Sequence, residues 1–100
     1  MPVRATSGGD RTTAFNYCSI YTAGSSSIRD SYNTSSITEH NQHTYEVTFS
    51  TSAGNSNYCC AMNADVETNQ WISNIGSGSY RLRTGGNLGS SVICGIVFQN

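Results

Sequence analysis

Polar and apolar positions alternate along much of the chain, most cleanly from Thr44 to Phe49. There Tyr45, Val47 and Phe49 point one way and Thr44, Glu46 and Thr48 the other, the period of two that marks a half-buried strand. Small and polar residues from Ser50 to Asn57 then make a turn, and Tyr58 to Met62 forms a second β-like run. The stretch Thr44–Asp65 therefore predicts a strand–turn–strand hairpin, with Tyr45, Val47 and Phe49 inward and the rest of the chain adding strands to it.

The same pattern predicts further strands on either side. Thr12 to Thr22 carries Phe15, Tyr17 and Tyr21 on one face and Ala14, Cys18 and Ile20 on the other. Apolar groups on both faces predict a strand that is covered twice or that lies at a subunit contact. Ser27 to Asn33 is a weaker strand, Thr34-Ser35-Ser36 a break, and Ile37 to His40 a short extended piece turning at Asn41-Gln42. Asn63 to Gln70 is expected to be a loop and Trp71 to Ile75 a short strand. After the turn Gly76-Ser77-Gly78, Ser79 to Thr84 alternates, with Tyr80 and Leu82 opposite Arg81 and Arg83. Gly85 to Gly89 is a flexible turn. Ser90 to Phe98 is the most apolar run and predicts a central strand buried on both faces, with Gly95 marking a bulge or close backbone packing. Tyr45, Phe49, Phe98 and Phe15 are assigned to the core.

No window has helical periodicity. Short strands separated by turn signals roughly every 8–12 residues predict an all-β fold. The expected architecture is an antiparallel β-sandwich, jelly-roll-like, of about seven to eight short strands with a short N-terminal arm. A chain of 100 residues is one domain, here an arm at 1–11 and a sandwich over 12–100. The arm has little to bury, so it is expected to fray or to dock on a partner.

Composition refines this picture. Ser, Thr, Asn and Gly make up nearly half of the chain, but 10% is aromatic and only 11% charged. Disordered chains are usually highly charged and poor in aromatics, so the polar residues belong to turns and outer strand faces. A net charge of −1, with all five basic residues arginine, gives no field for steering toward nucleic acid. No apolar run approaches the ~18–20 residues that span a membrane, and the N-terminal segment lacks the apolar core of a signal peptide. Cys18, Cys59, Cys60 and Cys94 are accordingly expected to be reduced thiols buried among apolar neighbours, although disulfides stay open. Cys59 and Cys60, adjacent in a strand, must face opposite sides.

The search for catalytic chemistry yields little. Gly76-Ser77-Gly78-Ser79 has no helix after it and reads as a turn rather than a nucleophile elbow. His40 and His43, with Glu39, could converge on a metal, but their spacing fits exposed turn residues better. No acid, base or nucleophile is placed by a motif, so the expectation is a protein that is not an enzyme and needs no cofactor or metal. The candidates for partner or ligand contact are Trp71 and Tyr80, which either face a loop or pack, and Arg81 and Arg83, which share a strand face and could grip carboxylates. Val3 and Arg4 join them from the arm.

Several segments, in this order, resemble the C-terminal module of tail-fibre proteins from tailed phages, notably phages of cyanobacteria. They are Ala14-Phe15, Ser27-Ile28-Arg29, Ser35-Ser36-Ile37-Thr38, Tyr45-Glu46-Val47-Thr48-Phe49 and Asn57-Tyr58, with SYRLRT and VICGIVF resembling its last strands. The resemblance covers about residues 14–98. Phe15 stands where the family usually has Trp, and the turn Thr51–Asn57 lacks the customary proline. The resemblance implies a homotrimer without catalytic activity on the virion surface, assembled in the host cytoplasm. Its implied partners are other virion proteins (fibre, baseplate or major capsid protein), and a host surface glycan is a further one. A free-standing copy with a short arm could instead be a head decoration (cement) protein, and a soluble sandwich-type lectin is the reading from another class. In a fibre-type module the Ser50–Asn57 loop would lie at an end of the sandwich.

Overall fold

The computed structural model describes residues 14–86 and 89–99. Among these residues eight strands form: β1 (Asn16–Tyr21), β2 (Ser27–Tyr32), β3 (Thr34–Asn41), β4 (Thr44–Phe49), β5 (Cys59–Ala64), β6 (Gln70–Ser73), β7 (Ser79–Thr84) and β8 (Val92–Phe98). They make two four-stranded sheets, ordered β2-β1-β8-β5 (sheet A) and β3-β4-β7-β6 (sheet B), and every pairing is antiparallel. The predicted arm and the start of the predicted first strand, through residue 13, lie outside the described residues.

Alternation fixes which side chains meet between the sheets. Sheet A contributes Cys18, Ile20, Ile93 and Val97, and sheet B contributes Tyr45, Val47, Phe49, Tyr80 and Leu82, all buried. Phe49 is the aromatic centre, edge-on to Phe15 at 5.2 Å and to Tyr58 at 5.8 Å. Phe15 sits partly buried at the margin of this cluster.

Gly95 explains how so thin a core closes. A Cβ at this position would lie 2.6 Å from the Tyr80 hydroxyl and 3.1 Å from Leu82 Cδ2. Gly95 thus leaves the gap in sheet A that the Tyr80 ring enters from sheet B. No register shift occurs in β8, so the glycine serves close packing and not a bulge. The Tyr80 hydroxyl donates to Asn16 Oδ1 at 2.9 Å. Asn16, fully buried, donates in turn to the carbonyls of Tyr32 and Asn33 and to Thr34 Oγ1. A buried amide is tolerable only when its groups are paired, and these four bonds pair it while fastening β1, the β2–β3 corner and β7 together.

Several expectations need correction. The Thr44–Asp65 stretch is not a hairpin: β4 pairs with β3 and β7, whereas β5 pairs with β8 in the other sheet. Both segments turn their apolar sides to the shared core from opposite sheets, with β5 packed near β6 at the sheet edge and β4 inside its own sheet. The intervening loop is also longer than the ~2–5 residues of a hairpin, enough to cross the ~10 Å between sheets. It is held by Ala53 N–H donating to Ser77 O (2.7 Å) and Ser52 Oγ donating to the same carbonyl (3.0 Å). The hairpin in this region is β3–β4, and Thr34-Ser35-Ser36 belongs to β3. The break falls instead on Asn33, whose φ of 55° turns the chain from sheet A into sheet B. Its amide donates to Phe15 O and Thr51 O and accepts from Thr51 N–H, which stabilises a left-handed conformation that Asn tolerates better than most residues.

Strand β8 is central in its sheet but covered on one face only, because Cys94 and Phe98 point outward. Phe98 is 38% exposed and leaves the predicted core. Cys59 and Cys94 are exposed, contrary to the expectation of four buried thiols, while Cys18 is buried and all four are free. Cys59 and Cys60 do face opposite sides, as alternation requires.

Candidate functional site

The outer face of sheet B gathers the chemistry. Strand β7 turns Tyr80, Leu82 and Thr84 inward, which leaves Arg81 and Arg83 outward. Register places Arg83 between Trp71 of β6 and Thr44 of β4, and Arg81 between Ser73 and Glu46. Two rows result, one aromatic and basic, the other an ion-pair network. In the first, the Arg83 guanidinium carbon lies 5.9 Å from the centre of the Trp71 ring, and Trp71 is 45% exposed. That geometry is a cation–π contact.

In the second row Glu46 is the hub. His40 Nε2 donates to its Oε1 at 2.8 Å, Ser79 Oγ donates to Oε2 at 2.6 Å, and Arg81 Nε lies 3.5 Å from Oε1. These partners hold the Glu46 carboxyl below its ordinary pKa, the Ser79 hydrogen bond first and then that of His40; burial opposes them, and the charge of Arg81 adds a lesser lowering. Ser79 and His40 both bind the carboxylate and not each other. The arrangement orients Glu46. Arg81 Nε approaches at ion-pair distance without completing a hydrogen bond, and Arg83 Nε and Thr44 Oγ1 are likewise buried without a hydrogen-bond partner among the described residues.

The outer face of sheet A is of opposite character. One row runs Tyr32, Tyr17, Ile96, Ala61 across all four strands, with the two tyrosine rings stacked at 6.2 Å. Tyr21 beside Val92, and Phe98 beside Cys59, extend it at both ends. A polar row crosses between, where Arg29 Nη1 donates to Ser19 Oγ at 3.2 Å. Tyr17, Tyr21, Tyr32 and Phe98 are all exposed.

Of the sequence-selected residues, Trp71, Arg81 and Arg83 come together on one face. Tyr80 does not join them, because it is fully buried and bonded to Asn16, and it is withdrawn as a surface contact. Val3 and Arg4 lie outside the described residues. His40 turns to Glu46 instead of toward His43 and Glu39, and among the described residues no group of three His, Cys, Asp or Glu is placed to hold a metal ion. Glu46, Ser79 and Thr44 escaped selection because alternation assigns them only to an outer face; their partners are set by the pairing of β4 with β7. Burial pushes the Cys18 thiol up to about 11 and the Cys60 thiol up to about 12, so both are inert thiols at neutral pH. Comparison of the chain with known protein families, curated proteins and solved structures finds no match.

Proposed function

We propose that this chain is a non-enzymatic structural protein of a tailed-phage virion, a surface module of the tail-fibre-tip type that serves adhesion or fibre assembly. The observation that carries the reading is the contrast between the two outer faces. The face of sheet A offers tyrosines, Ile96 and Phe98 to a protein neighbour, and the face of sheet B offers Trp71 beside two arginines. An apolar sheet face suits association with further copies or with other virion proteins, since it removes exposed aromatic area from water. The ordered segments of the tail-fibre resemblance give the trimer as the expected assembly and the virion surface as the location.

Light scattering of the purified chain tests the assembly: the expected mass is three times 10.7 kDa. Ile96→Asp, which puts a charge at the centre of the apolar row, is expected to reduce it to a monomer. Immunogold labelling of phage particles tests location, with label at fibre tips expected. Label confined to the head would favour a decoration protein, and no label on any particle would sink the virion reading. A soluble lectin is the second reading, favoured by the exposure of Trp71; it predicts sugar binding by a chain found on no particle.

A further inference from the structure

Among the described residues Arg83 is a cation without a counter-charge. Among the described residues the ion pairs are His40–Glu46 and Arg81–Glu46, so no described carboxylate reaches Arg83. Its guanidinium lies over Trp71, and its register neighbour Thr44 has a buried hydroxyl with no hydrogen-bond partner among the described residues. Arg81, the next outward residue on β7, shares its one carboxylate with His40 and Ser79. The face thus combines an exposed aromatic ring, a free guanidinium and a second guanidinium only partly neutralised.

We propose that the outer face of sheet B is a binding site for a carboxylate-bearing sugar, a uronic or nonulosonic acid unit of a surface polysaccharide. Trp71 supplies the flat apolar platform against which the C–H face of a pyranose packs. Arg83 supplies the planar donor fork that matches a carboxylate, and a ligand charge there completes a pair that the described residues leave open. Arg81 adds attraction from about 7 Å along the strand, the spacing of alternate residues. An acidic peptide would satisfy Arg83 but leave the Trp71 platform without a ring to cover it. The inference rests on the adhesion reading insofar as it takes the face to be open in the assembled protein.

The test is binding of the full chain to immobilised oligosaccharides ending in glucuronic acid or in N-acetylneuraminic acid, beside the same sugars with the carboxyl reduced to an alcohol and beside a sulfated sugar. Binding to at least one carboxylated sugar is expected, with at least about tenfold weaker binding to its reduced form. Arg83→Ala and Trp71→Ala are each expected to lose at least about tenfold, Arg83→Lys less because charge remains without the fork, and Arg29→Ala on the opposite sheet nothing. Thermal melts and light scattering accompany each variant. The proposal is overturned by equal binding of acid and reduced sugars, by binding to the sulfated sugar alone, by binding to none, or by unchanged binding in a folded Arg83→Ala protein. A drop in molar mass for Trp71→Ala also overturns it, by assigning the face to a contact between copies. Fibre-tip labelling without acidic-sugar binding removes this inference and leaves the virion reading standing; sugar binding by a protein absent from particles does the reverse.

Discussion

Replacing Gly95 by alanine tests the packing of the whole sandwich. The added Cβ would meet the Tyr80 hydroxyl at 2.6 Å, Tyr80 Cε2 at 2.9 Å and Leu82 Cδ2 at 3.1 Å. Tyr80 cannot swing aside freely, since it is fully buried and its hydroxyl is tied to Asn16 at 2.9 Å. Overpacking of this kind costs about 1–3 kcal/mol. In a domain of this size a loss of about 2 kcal/mol lowers Tm by about 8–16 °C. Tyr80→Phe alone strands the buried Asn16 Oδ1 without its donor and costs about 1–3 kcal/mol. The two effects act through the same hydroxyl. The double variant lacks the atom nearest the new Cβ, so its loss should fall short of the sum by at least about 1 kcal/mol. Part of the clash persists, because the ring carbon remains. Urea unfolding followed by circular dichroism gives all four stabilities of the cycle. Additivity within about 0.5 kcal/mol, or a Gly95→Ala protein as stable as the parent, would refute the reasoning.

Other outcomes follow from single groups. Glu46 titrates below its ordinary 4.5 in the fold, so its contribution is present above pH 4.5 and is lost as pH falls through the lowered value; Glu46→Gln should flatten the acid limb of a stability–pH curve. Cys18 and Cys60 have raised pKa values, about 11 and about 12 against 9.0, so their contribution is complete below pH 9 and is lost as pH rises through those values. A thiol reagent applied to the native protein should label Cys59 and Cys94 first, Cys60 slowly and Cys18 only on unfolding, and fast labelling of Cys18 would contradict its burial. Asn33→Ala should cost about 1 kcal/mol more than Asn33→Gly by denaturant titration, since both lose the side-chain bonds but only alanine strains a φ of 55°.

The strands were legible in the sequence where alternation was clean. Tyr45, Val47 and Phe49 face inward, and Arg81 and Arg83 face outward, because side-chain direction in a strand depends only on the parity of position. The same parity brought out the tyrosines at 17 and 21 as a second apolar face, now the outer surface of sheet A. Where apolar residues ran without alternation, as in Val92 to Phe98, the sequence suggested cover on both sides, and the fold leaves one side open.

Partner choice was not legible. A strand presents the same hydrogen-bonding groups to any neighbour, so nothing local tells β5 to pair with β8 rather than with β4. Loop length and the need to oppose two apolar faces make that choice, and both act only once the chain is packed. Asn16 shows the same limit: in the sequence it is one polar residue among many, and only the approach of Tyr80 across the sandwich makes it the buried hinge of β1, β2, β3 and β7. The Thr44–Asp65 stretch keeps its inward face as the sequence determined, since that follows from alternation alone. Its passage between sheets, and the meeting of Trp71, Arg83, Arg81 and Glu46 on one surface, were decided by tertiary structure, because register joins residues that the chain itself keeps far apart.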